Sequence, residues 1–280
     1  MREQPILTQL VLEWLACSQS PRVLHVFDRA CNLINAQNEI ISLVWPELGA
    51  GPFAWVLPEK RPFTDITTDS SVEIIDGNLW LGNSNIPFAH AQLWNPKLNW
   101  EAIRQQKVDW PELLCEISQA LKQQEMNKTM SVGAGHRLAP TMSHKFDLAQ
   151  NQFLLGIEKQ NQALIVDGAA ALAGLGQGLT PTGDDFLLGA MIALWLKNID
   201  INILDLIVQT AVSRTTLLSS AWLKAAGRGE FVAAWHDFFA GLEDGGWQTA
   251  VHKILQIGHS SGNDALLGFT AVLEQLILPR

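Results

Sequence analysis

The chain changes texture near residue 98, and that change limits the folds open to it. Upstream, short runs of strand type recur: "RVLHVF", "EIISLVW", "FAWVLP" and "SVEIIDGNLWLG". The last reads as a hairpin, because Asp76-Gly77 can take the positive φ values that a two-residue turn needs. Downstream, apolar residues recur at helical spacing. In "WPELLCEISQALKQQ", Pro111 suits a first turn, and Leu113, Leu114, Ile117 and Leu121 recur at three and four. Further helix-like segments cover about 146–173, 183–197, 200–227, 230–241, 246–257 and 261–278. Strand runs followed by helix runs predict an α+β fold. A mostly-β domain with an N-terminal helix is expected over residues 1–98, and a larger mostly-α domain with an internal helix-start repeat over 99–280. The stretch 126–144, which holds His136, Arg137 and His144, reads as a mobile loop with surface histidines.

With 280 residues, 48% of them hydrophobic and 17% charged, the chain can bury a sizeable core. Its formal charge of −9 opposes a nucleic-acid backbone or an anionic membrane as partner, since both select for clustered Lys and Arg. Cys17, Cys31 and Cys115 are odd in number and far apart, so neither a disulfide framework nor a zinc site is expected. A reducing cytoplasm fits that usage. The first residues, "MREQPILTQLVLEWLACSQSP", read as an amphipathic helix, neither signal peptide nor anchor.

The densest chemistry lies in "GLGQGLTPTGDDFLLG", residues 174–189. Pro181 disfavours helical geometry at Thr180, and Thr182 followed by Asp185 resembles a capping box, so Thr182 is expected as the N-cap of a helix that begins at Gly183. Asp184 and Asp185 then occupy its first turn, where the helix dipole favours carboxylates by about 0.3–1 kcal/mol each. Capping leaves Gly174, Gly176 and Gly178 unexplained, because alternating glycines either take unusual conformations or clear space for something close. No Gly-Lys-Ser/Thr follows, so this is not a Walker loop.

Downstream, Ser261-Gly262-Asn263-Asp264-Ala265-Leu266-Leu267-Gly268 repeats the pattern of Thr182-Gly183-Asp184-Asp185-Phe186-Leu187-Leu188-Gly189. One reading is duplicated helix packing with two capping boxes. The other has the two starts converge and present Asp184, Asp185, Asp264, Thr182, Ser261 and His259 to one polar pocket. Between the copies, Thr215 and Ser219, like Thr216 and Ser219, sit at helical neighbour spacing and form a hydroxyl stripe. Arg214 is a candidate fork for a carboxylate, whereas Arg228, flanked by Gly227 and Gly229, reads as part of a solvated turn.

The order "GLGQGLTPTGDDFLLGAMIALW", "TTLLSSAWLKAAGRGEF", "IGHSSGNDALLGF", together with the N-terminal "VFDRACNLINAQNEIISLV…GPFAWVL", resembles the AllH family. That resemblance implies a subunit of oxamate carbamoyltransferase in anaerobic allantoin use, which converts oxalurate and phosphate to oxamate and carbamoyl phosphate beside FdrA-like and AllG-like subunits. Two roles follow. As a catalytic or substrate-binding subunit, the chain would use Asp184, Asp185, Asp264 and His259 for catalysis. Gly176, Gly178, Thr180, Thr182, Gly183, Arg214, Thr215, Thr216, Ser219, Ser261 and Gly262 would then bind the substrate. As an assembly subunit, its glycine loops would only pack helices. Metal-assisted amide hydrolysis is a third reading, with Mg2+ as the hard cation that aspartates would take.

Overall fold

The computed structural model describes residues 4–131 and 140–277. Two compact units divide the chain: Met1–Leu98 with Glu230–His236, and Asn99–Gly229 with Asp237–Arg280.

The first unit is built on β-strands: β1 (Ile6–Leu7), β2 (Arg22–Val26), β3 (Ala30–Ile34), β4 (Ile40–Val44), β5 (Ala54–Val56), β6 (Val72–Ile75), β7 (Asn78–Leu81), β8 (Ser84–Pro87) and β9 (Gln92–Leu93). They form a six-stranded sheet of order β2-β3-β4-β5-β1-β9 and a three-stranded sheet β6-β7-β8. The β6–β7 hairpin turns at Asp76 and Gly77, whose φ values of 48° and 74° are those the sequence predicts for a tight turn. Helix α1 (Gln9–Cys17) is shorter than the N-terminal segment implied, because Ile6 and Leu7 pair with Val56 and Trp55 of β5. Thr8 caps it, accepting from Val11 N and donating to Pro52 O at 2.8 Å. Leu7, Val11, Leu33, Ile41, Trp55 and Leu79 anchor the core of this unit. Residues 230–236 return to it: Phe231 N donates to Pro96 O and Ala233 N to Ala50 O, both at 2.9 Å.

The remaining helices are α2 (Trp100–Gln105), α3 (Trp110–Ser131), α4 (Pro140–Glu158), α5 (Gln162–Leu172), α6 (Thr182–Leu196), α7 (Ile201–Val212), α8 (Leu217–Gly227), α9 (Ala233–Ala240), α10 (Trp247–Leu255) and α11 (Ser261–Ile277). The chain is thus α+β, with strands first and helices after. Two segments that the periodicity runs together are each broken in two. Asn161 caps α5 after Gln160 takes a φ of 50°, and Thr216 caps α8 after α7 ends. The expected loop 126–144 is helical at both ends, with His144 exposed on α4; His136 and Arg137 lie outside the described residues.

Helix α6 is buried almost all round, and its pairing with α11 is the most extensive contact between described elements. Their glycines allow it. A Cβ on Gly189 would lie 1.7 Å from Ala265 O, and one on Gly268 would lie 2.0 Å from Phe186 O. Gly189 and Gly268 hold the same place in the two copies of the repeat, as do Phe186 and Ala265. The crossing is therefore a pseudo-two-fold, in which each copy makes the contact that the other makes in return.

Candidate functional site

Both helix starts lie at one end of this pair. Helix α6 begins one residue earlier than the capping-box pattern implies. Pro181 is the N-cap, and its carbonyl accepts from Asp184 N and Asp185 N at 2.9 and 3.2 Å. Thr182 is the first helical residue, and no side-chain capping bond is made there. Proline has no N–H and cannot cap through a side chain, but with ψ at 145° its carbonyl still accepts the first bonds of the helix.

The glycine loop before α6 is folded against its neighbours. At Gly174, φ is 71° and a Cβ would lie 2.4 Å from Arg214 O; at Gly176, φ is 134° and a Cβ would lie 2.6 Å from Thr182 N. Gly178 differs: its φ is 90°, but a Cβ there would meet nothing within 4 Å. Two of the three alternating glycines thus serve close packing, and the third faces open space. Gly183 and Gly262 are packed in matching ways, with Cβ positions 2.0 Å from Leu172 O and 1.8 Å from Ile254 O. Both bring backbones together and leave no room for a ligand at the α-carbon.

Asp184 is buried and well bonded. Gly174 N donates to its Oδ1 at 3.0 Å, and the Thr215 hydroxyl donates to its Oδ2. Burial pushes its carboxyl above the usual range, while bonds from Thr215, Gly174 and Ser219 pull it back. Thr216 Oγ1 donates to Leu179 O at 2.6 Å and accepts from Ser219 N at 3.0 Å. The hydroxyl residues thus clasp the glycine loop to the start of α8. They do not form a stripe on one helix, because α8 starts at Leu217 and Thr215 precedes its cap. Arg214 is exposed and meets the loop through its backbone carbonyl.

Asp185 has the opposite environment. It is 7% exposed, and its Oδ2 is buried without a hydrogen-bond partner. Burial, then the charges of Asp264 and Asp184, push its carboxyl well above the usual range; the hydroxyls of Ser261 and Thr180 offset part of this. Thr180 Oγ1 and Ser261 Oγ share a hydrogen bond of 2.9 Å and tie the loop before α6 to the first residue of α11. Asp185 and Asp264 are equivalent in the repeat, and Asp185 lies near enough to feel the charge of Asp264. That nearby charge adds to burial in disfavouring the ionised form of Asp185.

The structure links Asp184 to Thr215 and Gly174, Leu179 to Thr216 and Ser219, and Thr180 to Ser261, with Asp185 close enough to feel the charges of Asp184 and Asp264. His259 stands in the exposed turn that leads to α11. Leu179, whose carbonyl accepts from Thr216 and Ser219, acts through its backbone, and its side chain carries no sequence signal of that role. Among the described residues, no group of three or more His, Cys, Asp and Glu side chains is arranged to hold a metal ion.

Two family models match the chain. Residues 6–93 match the AllH family N-terminal domain, and residues 172–273 match the model described as oxamate carbamoyltransferase subunit AllH. The chain belongs to the AllH family. The second match takes in the glycine loop, both helix starts and the Thr215–Ser219 clasp of this AllH-family chain. No solved structure matches it. No helix among the described residues of this AllH-family chain is long and apolar enough to cross a membrane.

Proposed function

We propose that the chain serves as a subunit of an oxamate carbamoyltransferase beside FdrA-like and AllG-like partners, and that a small carboxylate or amide substrate binds at the converging starts of α6 and α11. The family description supports the subunit role. One observation carries the binding site: Asp185 keeps a buried carboxyl oxygen without a partner, beside the Thr180–Ser261 hydroxyl pair. A native interior satisfies nearly all its polar atoms, so a buried oxygen left over is an opening for a ligand.

Held in its acid form, Asp185 offers an O–H to a substrate carbonyl, and Asp264 can accept an amide N–H. In the reaction, a phosphate oxygen attacks the carbamoyl carbon of oxalurate. The bond from that carbon to the oxamate nitrogen breaks, and the nitrogen takes up a proton. Asp185 delivers that proton and regains one from the phosphate that attacks. The backbone N–H groups of the loop at Gly176 and Gly178 suit the oxyanion that develops, with Gly178 leaving space for its approach. Thr182 and Ser261 add hydroxyls, exposed Arg214 supplies a cation for phosphate, and exposed His259 exchanges the proton with solvent. Asp184, Thr215, Thr216 and Ser219 act by holding the loop in place.

Isothermal titration calorimetry with oxamate tests this. Wild-type chain binds oxamate, and Asp185→Asn weakens binding about tenfold or more through loss of a buried hydrogen bond to the ligand. Binding also weakens as pH rises through the elevated pKa of Asp185. Equal affinity in wild type and Asp185→Asn would contradict the site. Absence of binding to the folded chain would leave it the assembly role.

A further inference from the structure

The repeat exposes a difference between its copies. On α6, the stripe Asp184, Leu188, Met191 and Trp195 is closed over: Asp184 is bonded to Gly174 and Thr215, Met191 reaches Gly227 of α8, and Trp195 Nε1 donates to Ala226 O at 2.8 Å. The equivalent stripe on α11 is Asn263, Leu267, Thr270 and Glu274. Those residues border a cavity of about 340 Å³, whose other walls are α3, with Lys122, and α4, with Gln150. Two bulky apolar side chains in the first copy are thus a threonine and a glutamate in the second, and space opens where the first copy is packed.

The lining is chemically specific. An acid and a base border one cavity without pairing, and two side-chain amides join them. Among the described residues, no side-chain hydrogen bond or ion pair is made by Lys122, Gln150, Asn263 or Glu274. Thr270 spends its hydroxyl on Leu266 O and Leu267 O of its own helix, which leaves its methyl to the cavity wall. Pockets for small ligands combine apolar walls with a few convergent polar groups, and this volume is at the small end of their range.

We propose that this cavity is a second binding site, for a small zwitterion of the amino-acid class. Lys122 receives the carboxylate and Glu274 the ammonium group. Asn263 and Gln150 read a polar side chain, for which L-glutamine is the probe because its amide can pair with both. The site is separate from the one proposed at the helix starts and does not depend on it.

Calorimetry of the full chain with L-glutamine, glutarate and cadaverine tests the assignment, since the last two each lack one of the two charges required. L-glutamine binds, and the others bind at least about tenfold more weakly. Lys122→Ala and Glu274→Gln each weaken L-glutamine binding by about the same factor, and Asp185→Asn leaves it unchanged. The double variant Thr270→Met, Glu274→Trp copies the packed stripe of α6 and abolishes binding. Lys122 is exposed, so its variant keeps the test alive if the double variant does not fold. No heat from L-glutamine at about 10 mM would overturn the proposal. So would affinity unchanged in both single variants, or affinity lost in Asp185→Asn.

Discussion

Asp184 and Asp185 are adjacent in sequence and opposite in situation. Asp184 spends its oxygens on Gly174 and Thr215, whereas Asp185 keeps one oxygen in reserve. Asp184→Ala would strand a backbone N–H and a hydroxyl, at about 1–3 kcal/mol each. The midpoint of urea unfolding should therefore drop clearly. Asp185→Asn removes a carboxyl that burial and two neighbouring acids already disfavour as an anion, so stability near pH 8 should hold or rise while ligand binding weakens. Fluorescence-monitored unfolding of both variants in urea checks the contrast. The sequence identifies both aspartates as chemistry at a helix start. It does not separate their roles, because consecutive helical residues point in different directions and only the packed neighbours decide which is satisfied. Asp185 is singled out by Ser261 and Asp264, which stand far along the chain.

At the scale of elements, the α6–α11 crossing depends on Gly189 and Gly268. Ala at either would drive a methyl into a carbonyl of the facing helix. Each substitution should destabilise by about 1–3 kcal/mol or more, and by similar amounts, because the two contacts are equivalent. Chemical denaturation of the two single variants measures this. A large effect at one glycine and none at the other would argue against the pseudo-two-fold. This pairing is legible in the sequence because the repeat places a glycine seven residues after each hydroxyl. Other elements are hidden for physical reasons. In β3, Asn32 is buried and accepts a 2.7 Å hydrogen bond from Ser42, so a polar residue breaks the apolar run that marks an inner strand. Strand β1 has two residues, too few to show alternation. The break before α8 rests on Thr216 turning its hydroxyl to the backbone, a local choice that competes evenly with continued helix in "SRTTLLSS".

For the whole molecule, buried acids set the pH dependence. Asp184, Asp185 and Glu274 all have carboxyls raised by burial, and Glu47, exposed beside Lys60, is lowered by it. A raised folded pKa means that the native state holds protons which the unfolded state has released above about pH 4. Unfolding free energy should therefore fall as pH rises from about 4, until the folded groups have ionised. Asp185→Asn should flatten the slope, and urea titrations across that pH range check it. The division into strands and then helices is legible from the shift in periodicity near residue 98, but the return of Glu230–His236 to the first unit is not. It depends on backbone bonds to Ala50 and Pro96, and backbone bonds leave no trace in side-chain pattern. The claim on which the account turns is that a small acid or amide is held at the two helix starts. A crystal structure of the chain with oxamate tests it most directly. Oxamate within hydrogen-bond distance of Asp185 Oδ2, flanked by Thr180 and Ser261, is the predicted result; oxamate bound elsewhere, or only solvent beside Asp185, would contradict it.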